Sequence, residues 1–261
     1  MTAGGRLEAV LRRDRGVVLV SLAGLTALAW SYLFWLAQGM HMSARAMASM
    51  APSWTAGEFA LIFVMWTVMM TGMMTPSAAP IILIYARVGR QAALQGRPLA
   101  ATGFFAGGYL MAWTIFSLVA AICQWALHRG LLLTPMMASA SAAFSGGVMI
   151  AAGVYQWTPA KDACLRHCRA PLSFIQQYGG FRRAWRGSLA VGFRHGLYCI
   201  GCCWALMALL FAVGVMSIVW IAVLTLFALA EKLIPIGRWF PRLAGTVLTA
   251  WGVWLLAGPA A

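Results

Sequence analysis

The chain has 261 residues, of which 62% are hydrophobic and 9% are charged, and its formal net charge is +14. A typical soluble domain has about 25% charged residues, so the composition excludes an ordinary soluble protein and predicts an all-α integral membrane protein. The basic residues are scattered between apolar runs, and no glycine-rich phosphate-binding motif follows a strand pattern. We therefore expect neither nucleic acid nor nucleotide as a ligand.

The apolar runs predict a polytopic protein with about seven transmembrane helices, since each crossing needs about 20 mostly apolar residues. The predicted spans are approximately 17–38, 57–86, 99–127, 135–157, 188–212, 215–232 and 241–257. The second span contains Pro76 and Pro80, where we expect a kink. We expect a single membrane domain over residues 1–261, with a tail at 1–16 and a long loop at about 158–187.

The positions of the basic residues predict the orientation of these spans. Of the 19 lysines and arginines, only Arg45 and Arg129 fall in the loops on one side, and Arg194 falls within a span. Because loops rich in lysine and arginine stay in the cytoplasm, the N-terminal tail and the long loop are expected to be cytoplasmic. This pattern predicts a multi-pass protein of a cytoplasmic membrane, with basic loops in contact with the lipid bilayer.

Methionine and one histidine form the first group of candidate metal ligands. These residues are Met40, His41, Met42, Met65, Met69, Met70, Met73 and Met74. The first three follow the first span on its outer side, and the others run down the second span. Thioether sulfur is a ligand for Cu(I), so the group predicts a copper pathway from the outside. The alternative is that methionine fills helix interfaces and loop positions without a ligand role.

Cysteine and histidine form the second group, on the cytoplasmic side. The long loop contributes Cys164, His167 and Cys168, and the fifth span contributes His195, Cys199, Cys202 and Cys203. The i, i+4, i+7 spacing places His195, Cys199 and Cys202 on one helix face. We expect His195, Cys199 and Cys202 to enclose one soft metal ion, together with Cys203 or with the loop donors. Cu(I) is favoured over zinc because thioethers line the approach. The alternative is that the cysteines pack as small apolar residues.

Two charged residues near the ends of neighbouring spans predict an ion pair. Arg194 lies in the fifth span and Glu231 lies at the end of the sixth. Charges in or at the edge of hydrocarbon are costly and normally pair with one another. We therefore expect an Arg194–Glu231 pair with a structural role.

Four segments, in chain order, resemble one bacterial family. They are MMTGMMTPSAAPIILIYA, YQWTPAKDACLRHCRAPLSF, GFRHGLYCIGCCWALMALLFAVGVM and ALAEKLIPIG. The family has no known function and its members are described as predicted metal-binding integral membrane proteins. The resemblance covers about residues 57–255 and implies a helical membrane protein. It also implies a metal site at Cys164, His167, Cys168, His195, Cys199, Cys202 and Cys203, and it implies no activity.

Three functions are compatible with these patterns. The first is Cu(I) transport or delivery, with a membrane or periplasmic metal protein as partner, and it is favoured because methionine lies outside and cysteine inside. The second is a membrane oxidoreductase, or its accessory subunit, that uses Cys199, Cys202 and Cys203 as a metal or thiol redox centre. The third is a structural scaffold whose cysteines fill the core.

Overall fold

The computed structural model describes residues 3–47, 55–130, 141–234 and 237–257, and these ranges are folded as nine helices. The helices are α1 Ala3–Met47, α2 Ala56–Leu94, α3 Thr102–Arg129, α4 Ala142–Tyr155, α5 Pro159–Arg169, α6 Pro171–Gln177, α7 Trp185–Val213, α8 Ile218–Leu233 and α9 Trp239–Ala257. The predicted all-α class is thereby confirmed.

Five helices of the described part are long and apolar enough to cross a membrane, which makes the chain a multi-pass membrane protein. They are Gly16–Gln38 within α1, together with α2, α3, α7 and α9. The prediction of seven spans is wrong. The described α4 has 14 residues and α8 has 16, so they rise about 21 and about 24 Å against the roughly 30 Å of hydrocarbon. Hydropathy identified both as apolar but overestimated their length; residues 131–140, part of the predicted fourth span, lie outside the described ranges.

The long cytoplasmic loop predicted at 158–187 contains two helices. The Thr158 side chain caps α5 by accepting a hydrogen bond from the Lys161 amide, and Pro159 occupies the first turn, where its missing N–H costs nothing. Pro171 begins α6 in the same way. The predicted N-terminal tail is likewise helical from Ala3 onward, as the beginning of α1.

Helix α2 runs for 39 residues and continues through both of its prolines. It begins with a capping box, in which Thr55 and Glu58 each bond the other's backbone amide. Its buried face carries the methionines predicted to run down the second span, so α2 brings thioethers to the centre of the molecule.

Helices α3 and α7 run in the same direction and lie in very close contact. A Cβ atom on Gly192 would stand 2.0 Å from the carbonyl oxygen of Phe105, and one on Gly196 would stand 2.5 Å from the Cβ of Ala112. Small residues of this kind let helix backbones approach in a membrane. Because α3 and α7 are parallel, the chain between them returns to the side from which α3 started.

Helices α4 and α9 make a second close contact of the same type. A Cβ on Gly252 would lie 2.7 Å from the carbonyl oxygen of Gly146, and one on Gly245 would lie 2.7 Å from that of Gly153. Here the residue numbers run in opposite order, so these two helices are antiparallel. Helix α7 contacts α3, α4, α5 and α8 and stands at the centre of the fold.

Candidate metal centre

Three helices bring sulfur atoms together in the core. Helix α7 supplies Cys199, Cys202 and Cys203, each at most 2% exposed. The Sγ of Cys168 in α5 lies 4.0 Å from the Sγ of Cys202, and the Sδ of Met74 in α2 lies 4.0 Å from the Sγ of Cys203. We call these five residues the sulfur cluster.

Two thiols of the cluster are directed at the backbone of α7. Cys202 and Cys203 donate to the Cys199 carbonyl oxygen at 3.1 and 2.9 Å. Across the ranges that the structure describes, no three side chains of His, Cys, Asp or Glu already form a metal-binding group. The sulfur spacing nevertheless suits a metal: with metal–sulfur bonds of about 2.3 Å, the zinc–thiolate value, two sulfurs on one ion lie about 3.8 to 4.6 Å apart.

Two polar side chains from other helices contact Cys199. The Nζ of Lys232 in α8 lies 2.9 Å from its Sγ, and the hydroxyl of Tyr109 in α3 lies 3.2 Å from it. Lys232 is 7% exposed and also donates to the Ser77 hydroxyl at 3.1 Å. Tyr109 donates to the Met74 carbonyl oxygen at 2.9 Å. The buried ammonium group of Lys232 is therefore in direct contact with a thiol of the sulfur cluster.

Glu231 forms a buried ion pair with a residue of α5. The Lys161 Nζ lies 2.7 Å from Glu231 Oε1, and both side chains are 1% exposed. The predicted Arg194–Glu231 pair is therefore wrong: the Arg194 guanidinium stacks over the Tyr178 ring at 5.1 Å. The reason is the packing of α5 on α8, which brings a nearer cation. Arg169 Nε also donates to the Glu231 carbonyl oxygen at 2.8 Å.

His195 is 3% exposed and lies among aromatic rings. The ring centroids of Phe174, Tyr109 and Phe105 lie 5.1, 5.8 and 6.1 Å from its own. Its Nδ1 has no hydrogen-bond partner within the described part of the chain. Buried polar atoms are normally satisfied, so this nitrogen is available to a ligand.

A cavity of about 180 Å³ lies between α2, α5, α7 and α8. His195, Cys168 and Lys232 line it, together with Ser77 and Arg169. It joins the sulfur cluster to the histidine and gives a small ion room beside both.

The other two loop donors lie beside the cluster and outside it. The Sγ of Cys164 packs on α7, where a Cβ at Gly201 would be only 2.7 Å from it. The His167 ring stacks on Tyr198 at a centroid distance of 4.3 Å, and its Nδ1 is 2.8 Å from the Ala163 carbonyl oxygen. The structure thus unites only part of the predicted ligand set.

The two thiols of α5 are held in their protonated forms. Burial raises the pKa of Cys164 above its ordinary value. Hydrogen bonding with the Cys199 and Cys202 thiols, aided by burial, raises the pKa of Cys168. A metal that binds either sulfur must displace a proton.

The methionines of α2 are all core residues. Met65, Met69, Met70, Met73 and Met74 are each at most 3% exposed. Of these, Met74 reaches the sulfur cluster directly. The end of α1 contains Met40, His41 and Met42, but only the backbone of these residues is described by the structure. The methionine pathway therefore stays a prediction.

Lys232, Tyr109 and Ser77 were missed by the sequence analysis. One signal for Lys232 was available: with Glu231 it places two consecutive charges at the end of an apolar run. Tyr109 and Ser77 come from helices whose contact with α7 no residue spacing predicts. Their roles depend on tertiary packing alone.

A family model described as PpoB2, copper chaperone, matches residues 63–255, which is most of the chain. No curated protein and no solved structure matches this chain. The chain therefore belongs to the PpoB2 copper chaperone family. The prediction of a copper-handling membrane protein is confirmed, and the copper chaperone assignment implies a copper protein as partner.

Proposed function

We propose that this copper chaperone family member binds copper as Cu(I) at the sulfur cluster and delivers it to a second copper protein. The observation that carries the proposal is the convergence of Cys168, Met74 and the α7 cysteines from three helices, with sulfur–sulfur distances of 4.0 Å. Thiolate and thioether are the ligands that select Cu(I). A core that needed only small apolar residues would gain nothing from collecting sulfur in one place.

Copper binding at this cluster requires small rearrangements. Rotation about the Cα–Cβ bonds of Cys202 and Cys203 would free their sulfurs from the Cys199 carbonyl and turn them toward Cys168 and Met74. His195 would add a nitrogen ligand from across the cavity, since its buried Nδ1 lacks a partner within the described ranges. The copper ion is the cargo of the protein in this proposal.

Cys164 and His167 suit a role in transfer. Both are partly exposed and lie next to the cluster on the same short helix as Cys168. Copper moves between proteins by exchange of ligands, which requires donors that both the inner site and a partner can reach. We propose that these two residues exchange copper with the partner, while the sulfur cluster holds it.

The orientation of the chain in the membrane sets the direction in which copper would move. We propose a cytoplasmic N-terminus in a bacterial inner membrane, a single domain, and a copper path along the α2 methionines from the outer side. Support comes from the Ala100 amide, which donates to the Arg182 carbonyl oxygen at 3.1 Å. This bond joins two arginine-rich connections, and the positive-inside rule expects such connections on one side of the membrane.

The ligand assignment is tested by copper content. Purified protein in detergent is loaded with Cu(I) under anaerobic, reducing conditions, and copper is counted per chain. We expect about one ion in wild type, as a single enclosed site implies, and none in Cys199→Ser/Cys202→Ser. The exposed Cys123 of α3 supplies the matched control, Cys123→Ser. Retention of copper by the double variant would contradict the proposed site.

A second double variant, Cys164→Ser/Cys168→Ser, is compared with the single variant Cys164→Ser to separate copper retention from copper transfer. We expect weaker copper retention, because Cys168 belongs to the sulfur cluster. The single variant Cys164→Ser should keep its copper and release it more slowly to a competing thiol chelator. Equal behaviour of Cys164→Ser and wild type in release would remove Cys164 from the transfer step.

A further inference from the structure

Lys232 is the unusual member of the metal centre. Its ammonium nitrogen lies 2.9 Å from the Cys199 sulfur and 4.0 Å from the Met74 sulfur, with 7% of the residue exposed. A cation is a costly neighbour for a site that has to accept a second cation. The fold does not require this charge for Glu231, whose carboxylate is bound by Lys161.

The cluster ligands alone do not exclude zinc. Cysteine thiolates with a histidine are an ordinary zinc ligand set, and Zn²⁺ accepts four of them in tetrahedral geometry. Affinity for divalent zinc at such a site is intrinsically high, so selectivity must come from another property of the site. Charge is one property in which the two ions differ whatever the geometry.

A fixed positive charge favours the ion of lower charge. With the same set of thiolates, the Cu⁺ complex carries one more negative charge than the Zn²⁺ complex. A nearby ammonium group therefore stabilises the copper complex more, by the Coulomb energy of one unit charge. Screening by dissolved salt is weak here because Lys232 and Cys199 are both buried.

We propose that Lys232 is a specificity-determining residue that makes the sulfur cluster prefer monovalent copper to divalent zinc. The inference rests on the proposed function, in which the sulfur cluster holds copper. Ser77 assists, because its hydroxyl accepts a hydrogen bond from Nζ at 3.1 Å and keeps the ammonium directed at the cluster.

The test compares the affinities for the two metals in one protein. Wild type, Lys232→Gln and Lys232→Arg are titrated anaerobically with Cu(I) and, separately, with Zn²⁺, each against a coloured chelator of known affinity. Glutamine preserves a hydrogen-bond donor for Ser77 and removes the charge, whereas arginine keeps the charge. Lys232→Leu is a second neutral variant in case the glutamine protein does not fold.

The measured quantity is the ratio of copper affinity to zinc affinity. In the neutral variants we expect this ratio to fall by between about fivefold and about a thousandfold, the range for one unit charge at about 4 Å with an effective dielectric constant between 80 and 20. Lys232→Arg should keep the wild-type ratio. A ratio that is unchanged in a folded neutral variant overturns the specificity role of Lys232 and leaves the proposed copper site standing. Wild type that binds no copper overturns the proposed function, and the inference with it.

Discussion

Helices α7 and α9 are both candidate membrane spans, and both pack against a neighbour through glycines. They differ in burial, since 56% of the most apolar stretch of α7 is buried against 17% for α9. They also differ in chemistry, because α7 carries His195 and three cysteines while α9 carries neither residue type. Close glycine packing is thus common to both pairs of helices, and only in the pair that contains α7 does it stand beside candidate metal ligands.

The buried Lys161–Glu231 pair, which joins two helices that pack on α7, should contribute more to stability than any contact of α9. Lys161→Met would leave the Glu231 carboxylate buried without its partner, and removing one member of a buried pair costs about 3–5 kcal/mol. We expect the largest fall in thermal stability, measured in detergent, from this change. The double variant Lys161→Met/Glu231→Met should recover most of it, because no charge is left unpaired.

A surface pair provides the control for that experiment. Arg238 Nε lies 3.5 Å from Asp162 Oδ2, and the arginine side chain is 62% exposed. Exposed pairs contribute at most about 1 kcal/mol, so Arg238→Gln should change the midpoint little. If Lys161→Met and Arg238→Gln had equal effects, the buried pair would contribute no more to stability than the exposed one.

The two glycine contacts can be compared directly. Gly192→Ala and Gly252→Ala each force backbones apart, and overpacking of this kind costs about 1–3 kcal/mol. We expect both to lower the thermal midpoint, with the greater loss at Gly192, where the added Cβ would be closest to a backbone oxygen. Only Gly192→Ala should also lower copper content, since it shifts Tyr109 and His195. Equal copper loss in both variants would make the metal centre dependent on the whole bundle.

The smallest effect is expected at the contact between α5 and α7. Gly201→Ala places a methyl group 2.7 Å from the Cys164 sulfur, and the side chain of Cys164 must move away. We expect a smaller fall in thermal stability than for Gly192→Ala, and slower copper release. The double variant Gly201→Ala/Cys164→Ala removes the sulfur and should restore the stability. A lack of restoration would mean that the backbone of α5 had moved.

The sequence predicted the long helices and the helical face of the donors well. Spacing alone puts His195, Cys199 and Cys202 on one side of α7, and all three are buried there. Apolar character also identified α2, α3, α7 and α9. These features are local, so that residue order within one helix determines them.

Features that join distant parts of the chain were predicted poorly. The partner of Glu231 is 70 residues away in sequence, whereas sequence distance, the available guide, favours the nearer Arg194. The contacts of Tyr109 and Lys232 with Cys199 depend in the same way on how helices pack. Hydropathy also gives no measure of how far an apolar helix extends. For this reason α4 and α8 were predicted as membrane spans although both helices are too short to cross.

Glu231 holds both ends of α5, through its carboxylate to Lys161 and through its backbone carbonyl to Arg169. These two anchors are nearly the full length of the helix apart, about 12 Å along its axis. A helix that is tied to its neighbour near both of its own ends has no free end about which to swing. If copper is exchanged at α5, as we propose, we expect the exchange to proceed by rotation of single side chains over a stationary backbone. Spin labels on α5 and α8 would keep one separation before and after the metal is delivered.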